Sequence, residues 1–216
     1  MYRASGPGRV NPPETRSARK RRAILSAATV VFLREGFAGT TMDQVATLAE
    51  VSKLTIYRHF ADKSTLFTEV VTSTVDQASN VVQQEILALG RTGDLEADLR
   101  ALARRQLGLV MQPHLLRLRR LVIAELARFP ALGRVFYDRG PGRTIVTLAS
   151  IFDKLTADGM LSAEDPHLAA TQFNWLVMAE PPNRAMLLGV EETPATADLD
   201  RHADHAVRTF LAAYRP

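Results

Sequence analysis

A segment around residue 55 carries side chains that could read the edges of DNA bases. Ile56 and Phe60 lie four residues apart, so both would face the core from a helix that begins after Ser52. The opposite face would carry a cation, hydroxyl groups and apolar or aromatic side chains, namely Lys53, Leu54, Thr55, Tyr57, Arg58 and His59. Such groups can donate to guanine acceptors or contact thymine methyl groups in a major groove. We therefore expect base contacts from the start of this helix and phosphate contacts from Tyr57 and His59.

Two preceding helices must hold this segment in place. Apolar residues recur at helical spacing from Ile24 to Phe32 and indicate a first helix. Thr41 and Gln44 form a capping-box pattern that begins a second, short helix. Three helices, of which the last two are short and joined by a tight turn, are typical of a helix-turn-helix motif, here at about residues 41–60.

Further phosphate contacts are expected from residues that flank the motif. Thr41 and Ser52 could offer their hydroxyls or the amides of the helices they begin, and Lys63 could offer its ammonium. Arg22 ends a basic run that would reach DNA outside the motif, the alternative being a solvated run of charges. Glycine and proline residues before this run predict a disordered basic arm over residues 1–17.

Positive charge is concentrated at the start of the chain. The whole sequence has 27 Lys and Arg against 23 Asp and Glu, a formal charge of +4. Residues 1–63 hold eleven of these basic and five of these acidic residues, so the first third carries +6 and the remainder −2. This division suggests that the first third meets a polyanion and that the rest has another task.

Composition argues against several classes of protein. The absence of cysteine excludes a disulfide scaffold, a Cys-ligated metal site and thiol catalysis. No signal peptide is evident, and no uncharged apolar run reaches the length of about 18 residues that a membrane span needs, so we expect a soluble, cytoplasmic protein without a membrane partner. The nucleophile elbow, the zinc-protease motif and the phosphate-binding loop are missing, so we expect neither an enzyme nor a cofactor.

Helical spacing continues through the rest of the chain, where no strand pattern is sustained. Glycine and proline residues divide it into segments, of which the last two long ones are residues 165–180 and 198–214. We therefore expect an all-α protein of about nine helices. An N-terminal helix-turn-helix domain would span residues 18–78, and a C-terminal helical bundle would span residues 79–216.

Apolar residues of this bundle are candidates for lining a cavity as well as for filling the core, because ligand sites are mostly apolar. The pocket candidates are Met111, Leu118, Val122, Phe136, Leu148, Phe152, Phe173 and Met178. The two last long helices could pair with those of a second copy as a four-helix bundle. The residues expected at that contact are Leu168, Thr171, Gln172, Trp175, Leu199, Ala203, Ala206, Val207 and Phe210.

Two groups of polar residues in the bundle have alternative interpretations. His202 and His205 share a helical face and could bind zinc with Asp198, but a third strong ligand is missing, so we favour a polar surface and expect no metal. A second basic group consists of Arg100, Arg104, Arg105, Arg117, Arg119 and Arg120. We expect solvated pairs with acidic residues, with the alternative that one of these arginines holds an anionic ligand.

Two motifs in the first third match the pattern of a known family. They are TTMDQVA at residues 40–46 and VSKLTIYRHF at residues 51–60. On these motifs, residues 21–71 resemble the TetR family of bacterial transcriptional regulators. Two positions depart from the usual pattern: Glu50 lies in the turn, where glycine is common, and Leu54 is a less usual residue on the reading face.

The resemblance extends into the bundle and implies an overall organisation. Residues 120–125, 128–130, 136–141 and 165–170 resemble the sensor domain of the AefR-like branch. The family implies an all-α homodimer in which a DNA-reading domain precedes a domain that binds a ligand and dimerises.

This organisation implies a ligand-responsive regulator and, by the tendency of the family, a repressor. A small, largely apolar effector would enter between the central helices, tilt the fourth helix and release the dimer from a palindromic operator. One rival is an architectural DNA-binding protein that no ligand regulates. A small all-α enzyme is a more distant rival, since no catalytic residue can be nominated.

Overall fold

The protein folds into α-helices that cover most of its described length. The computed structural model describes residues 15–189 and 194–216. Its helices are α1 (Arg16–Gly39), α2 (Met42–Leu48), α3 (Lys53–His59), α4 (Lys63–Ile86), α5 (Leu95–Val110), α6 (Pro113–Ala124), α7 (Pro130–Tyr137), α8 (Arg143–Ala157), α9 (Pro166–Met178), α10 (Glu180–Leu188) and α11 (Thr196–Tyr214). A π-helical turn, Asp138–Gly142, joins α7 to α8. The all-α class is confirmed, and neither a strand nor a helix suited to crossing a membrane occurs in the described residues.

Most of the predicted arm lies outside the described residues. Thr15 caps α1, which begins at Arg16, so the last residues assigned to the arm are helical. The basic run ending at Arg22 therefore lies on the first turns of α1.

Side-chain caps determine where the short helices begin. The Thr41 hydroxyl accepts from the Gln44 amide at 3.2 Å, and the Gln44 side-chain oxygen accepts from the Thr41 amide at 2.7 Å, so the predicted capping box is present. Ser52 caps α3 and Asp62 caps α4 in the same way. These caps satisfy amides that have no partner within the helix, and so they separate α2, α3 and α4 cleanly.

Two clusters of buried apolar residues hold the helices together. The first consists of α1, α2, α3 and the first part of α4, and it is extended by Leu118 and Val122 of α6 and Leu132 of α7. The second is built mainly from the end of α4 with α5, α8, α9 and α11. Val75 belongs to the first cluster and Val82 to the second, so one continuous helix, α4, joins the two parts of the molecule.

The segment after Met178 differs from the expectation. The sequence predicts that the helix of residues 165–180 ends at Pro181 and Pro182. The chain instead bends at Ala179 and continues as α10, with both prolines in its first turn. Proline is tolerated there because the amides of a first helical turn have no acceptor to lose. The bundle thus contains a helix that the sequence did not predict.

The last helix, α11, packs inside the protomer. It lies against α5 and α9. Leu199, Ala203, Ala206, Val207 and Phe210 are each at most 7% exposed in a single chain. The prediction that these five residues form the dimer contact is wrong, because their apolar face is already covered by helices of the same chain.

Candidate nucleic-acid interface and cavity

The third helix has the two faces that its sequence predicts. Ile56 is fully buried and Phe60, which follows the helix, is buried with it. On the outer face Leu54 is 81% exposed and Tyr57 is 44% exposed. The other predicted contact residues of this helix are exposed or half-buried, namely Lys53, Thr55, Arg58 and His59. The helix therefore offers an apolar, a hydroxyl-bearing and a cationic side chain to a partner at the surface.

Ser52 and Thr41 are already engaged as helix caps. The Ser52 hydroxyl lies 3.2 Å from the Thr55 amide and 2.9 Å from the Thr55 hydroxyl. Both capping side chains remain exposed. Each accepts from the third amide of its helix, so a phosphate oxygen would have to use the amides before it.

Lys53 forms an ion pair across the motif. Its ammonium lies 2.9 Å from the carboxylate of Asp43 in α2. The hydrogen bond and the charge of Asp43 raise the pKa of Lys53 above its ordinary value. Both side chains are exposed, so solvent screens the pair and DNA could compete for the ammonium.

Lys63 has a structural role in addition to its predicted contact with phosphate. Its ammonium donates to the carbonyls of Phe37 and Thr40 at 2.8 Å and lies 3.3 Å from that of Ala38. It also lies 4.6 Å from the centre of the Phe37 ring. An ammonium has three donors, and these carbonyls use them at the end of α1, where the helix dipole favours a cation. Lys63 thus links α1 to α4, and its phosphate contact stays a prediction.

The predicted DNA contacts of Arg22 and His59 depend on the exposure of these side chains on α1 and α3. Arg22 is exposed on α1. His59 is half-buried, and its Nε2 atom is buried without a hydrogen-bond partner among the described residues. This nitrogen cannot reach a phosphate as the helix stands, so any contact from His59 would use the other ring nitrogen.

A largely apolar cavity of about 290 Å³ lies between α4, α5, α6 and α9 and the π-helical turn. It is lined by Val75, Ala78, Ser79, Val82, Gln106, Leu109, Val110, Leu115, Leu116, Leu118, Arg119, Val122, Ile123, Leu126, Gly133, Phe136, Tyr137, Gly140, Pro141, Thr144, Asn174, Trp175 and Met178. Its volume is near the lower end of the range of roughly 300–1,000 Å³ that small-molecule sites occupy.

Half of the residues predicted to line a pocket do so. Leu118, Val122, Phe136 and Met178 border the cavity. The other four are corrected to core residues: Met111, Leu148, Phe152 and Phe173 are buried in the second cluster and do not line the cavity. Phe152 and Phe173 meet edge to face with ring centres 5.9 Å apart, which fills the space that a ligand would need.

The cavity contains a small set of polar groups, of which only Arg119 belongs to a group that the sequence offers as possible ligand contacts. The side-chain nitrogen of Gln106 donates to the side-chain oxygen of Asn174 at 2.8 Å, while the remaining amide atom of each residue is buried without a partner among the described residues. The Ser79 hydroxyl is likewise buried and unpaired there. Arg119 is half-buried, and burial lowers the pKa of its guanidinium below the ordinary value.

Arg100, Arg104 and the histidine pair of the bundle have ordinary partners. Arg100 and Arg104 form ion pairs with Glu96 and Asp204. His202 Nε2 lies 3.2 Å from two backbone carbonyls of α9, and His205 contacts an arginine of its own helix. Over the described ranges, no group of three or more acidic or histidine side chains is placed to hold a metal ion.

The remaining candidates for a dimer contact lie on α9. Leu168 is 48% exposed and Trp175 is 38% exposed. Gln172 lies between them on the same face and accepts a hydrogen bond from the Tyr214 hydroxyl at 2.7 Å. Thr171 is half-buried and donates its hydroxyl to the His167 carbonyl, so it contributes little free surface.

Comparison with known families assigns both parts of the chain. Residues 24–70 match the model described as bacterial regulatory proteins, tetR family, and residues 97–216 match the C-terminal domain of AefR-like transcriptional repressors. The chain belongs to the TetR family. It is a DNA-binding transcriptional regulator, and both the family and the AefR-like resemblance of its C-terminal part are confirmed.

Solved structures and a curated relative agree with this assignment. A TetR-family regulator from Mesorhizobium loti MAFF303099 is 44% identical over 94% of this chain and 100% of its own, with a TM-score of 0.89. The flavonoid-responsive regulator FrrA is 31% identical over 92% of this chain and 98% of its own, with a TM-score of 0.73. The DNA-binding transcriptional repressor TetR of Mycobacteroides abscessus is 37% identical, but this TetR-family chain spans only 40% of that relative's length.

Proposed function

We propose that this TetR-family regulator is a homodimeric repressor that a small, largely apolar effector releases from a palindromic operator. The observation that carries the proposal is the position of the cavity. Leu118 and Val122 line the cavity and also belong to the hydrophobic cluster beneath the helix-turn-helix motif. A molecule that displaces these side chains would therefore disturb the packing of the DNA-reading unit directly.

Helix α4 offers a second connection between cavity and DNA. Its residues Val75, Ala78 and Val82 face the cavity, and its first residue, Lys63, is bonded to the end of α1. A rigid helix transmits a tilt along its length, so a shift at the cavity would move α1 and with it the recognition helix α3. The effector acts by favouring the tilted state over the state that fits DNA.

The proposed dimer brings two copies of α3 to one face of the DNA. Leu168, Gln172 and Trp175 on the exposed face of α9 are the proposed contacts. A two-fold dimer of this kind places the two recognition helices in successive major grooves and so favours a palindromic site. Trp175 also lines the cavity, so dimerisation would cover one of its walls.

Two relatives support the proposed class of effector and the proposed role as a repressor. The neighbour FrrA is flavonoid-responsive by name, which supports a mostly apolar small molecule as the effector class. The relative from Mycobacteroides abscessus is described as a repressor, and the C-terminal match is to repressors. We carry both properties to this chain as part of the proposal.

Selection of binding sites from random DNA, followed by footprinting, tests the proposal. We expect one palindromic sequence with two half-sites, and binding that weakens steeply with salt because phosphate contacts carry much of the affinity. Protection of DNA without a palindrome would instead indicate an architectural protein.

A matched pair of variants tests how α3 docks. Tyr57→Phe removes an exposed hydroxyl from α3 and should weaken binding to all DNA sequences several-fold. Tyr137→Phe makes the same chemical change at the exposed end of α7 and, without effector, should leave DNA binding unchanged. Equal affinities of the two variants would show that Tyr57 does not contact phosphate.

A further inference from the structure

The cavity has a charge that nothing in the described structure balances. Among the residues that line it, Arg119 is the only one with a charged side chain. No hydrogen bond or ion pair joins Arg119 to another described residue, whereas Arg100 and Arg104 on the neighbouring helix have carboxylate partners. Arginine keeps its proton in proteins, so the cavity wall holds an unpaired positive charge.

An unpaired cation in a mostly apolar wall is unfavourable for the free energy of folding. A bound anionic ligand would supply the missing partner. Burial weakens the hydration of the guanidinium, and the lowered pKa of Arg119 has burial as its cause, with no carboxylate acting in the other direction. A planar guanidinium is well suited to a carboxylate, which it can bind through two parallel hydrogen bonds. An anion bound in the cavity would therefore offset the free energy that the Arg119 guanidinium loses when burial removes it from water.

A second polar element lies on the walls formed by α5 and α9. Gln106 is 4% exposed and Asn174 is 1% exposed, and their mutual hydrogen bond leaves one free donor and one free acceptor. This remains true whichever way the two amides are assigned, because each hydrogen bond uses one donor and one acceptor. The pair could satisfy a hydroxyl, which both donates and accepts.

We propose that the effector is a small, predominantly apolar anion whose negative group pairs with Arg119 and whose hydroxyl or carbonyl group faces Gln106 and Asn174. Aromatic or aliphatic carboxylates and ionised phenols belong to this class. The proposal rests on the proposed function, since it names the chemistry of the molecule that the cavity would sense.

Two fluorescent dyes with a common skeleton test the charge requirement on the full chain. 8-Anilinonaphthalene-1-sulfonate carries an anionic group, and N-phenyl-1-naphthylamine is the same skeleton without it. Titration of each dye gives two dissociation constants and their ratio, anionic over neutral. In Arg119→Met this ratio should rise by about tenfold or more relative to the wild type, which is the range of a charge-assisted hydrogen bond.

Matched variants separate the local charge from the charge of the whole molecule. Arg117→Met removes the same charge from the exposed face of α6 and should leave the ratio within about twofold of the wild type. Arg119→Lys keeps a cation and should retain most of the preference. Should Arg119→Met not fold, Arg119→Gln provides the same comparison. Ala78→Phe fills the cavity from α4 and should weaken the binding of both dyes.

The outcomes distinguish this inference from the proposed function. If both dyes bind and Arg119→Met leaves the ratio unchanged, the cavity binds ligands without selecting anions, so the inference fails while the effector response survives. If neither dye binds the wild type, or if Ala78→Phe leaves both bound as tightly, the cavity is not a ligand site. That result would overturn the effector part of the proposed function as well.

Discussion

At the scale of single residues, one cation of the recognition motif, Lys53, is held in an ion pair. Lys53 is paired with Asp43 at 2.9 Å, and both side chains are exposed. DNA phosphates or guanine acceptors must compete with this carboxylate, which also repels the phosphate backbone. The pair therefore lowers the affinity for any DNA while leaving Lys53 positioned at the surface of α3.

The variant Asp43→Asn should strengthen DNA binding several-fold, because it frees Lys53 and removes one negative charge beside the phosphates. The measurement is fluorescence anisotropy with a labelled duplex at several salt concentrations. Glu35→Gln makes the same charge change on α1, outside the helix-turn-helix motif, and should have a smaller effect. Equal gains from the two variants would mean that net charge, and not the Lys53 pair, sets the affinity.

Glu50 tests the cost of an unusual backbone conformation in the turn. It is the only residue other than glycine with a positive φ in the described chain, at 53°. A non-glycine residue in this left-handed backbone conformation is less stable than glycine by roughly 1 kcal/mol. Glu50→Gly should therefore melt about 2–4 °C above Glu50→Ala, a comparison in which both variants lose the same charge. A lower melting temperature for the glycine variant would show that the turn is not strained.

Residue roles that depend on distant partners were the hardest to predict from sequence. The type and position of Lys63 indicate a phosphate contact, yet its acceptors are carbonyls 23 and 26 residues earlier in the chain. Arg119 carries no local signal that separates it from Arg117, because burial depends on which helices pack around α6. The capping roles of Thr41 and Ser52 were predictable because both depend only on residues three positions ahead.

At the scale of helices, local patterns predicted most of the fold. Apolar periodicity and caps indicated α1, α2 and α3, and the two long segments predicted at residues 165–180 and 198–214 correspond to α9 and α11. The periodic face of α11 did not reveal what covers it: Val207 and Phe210 pack in the second cluster of their own chain rather than against a second copy. For the same reason the sequence could not separate core residues from cavity residues. Phe152 and Phe136 are both apolar, and only the packing distinguishes them.

The link between α1 and α4 predicts an effect on stability that a phosphate contact would not have. Lys63→Met leaves three carbonyls at the end of α1 without their donor and should destabilise the fold by about 1–3 kcal/mol. DNA binding should weaken, but the dependence of affinity on salt should keep its slope. Lys53→Met serves as the comparison: it should leave thermal stability unchanged and reduce the salt slope by about one. A reduced salt slope in Lys63→Met would show that Lys63 does contact phosphate.

At the scale of the whole molecule, the core of the first third of the chain is extended by residues from the rest of the chain. Phe129 follows α6, and its ring lies 4.8 Å from that of Phe37 and 5.8 Å from that of Phe67, centre to centre. The guanidinium of Arg128 lies 4.6 Å from the centre of the Phe37 ring. Side chains of the C-terminal part thus pack into the core beneath the recognition helix.

Removal of the Phe129 ring should separate the unfolding of the two parts. In differential scanning calorimetry we expect one cooperative transition for the wild type, because α4 contributes to both clusters and Phe129, from the C-terminal part, packs against the first. In Phe129→Ala the part that contains α1 to α3 should melt first, giving two resolved transitions. Tyr214→Ala removes a ring stacked on Phe210 at the far end of the second cluster and should lower the melting temperature without splitting the transition. A single transition in Phe129→Ala would show that α4 and the remaining contacts of Leu118, Val122 and Leu132 are enough to couple the two parts.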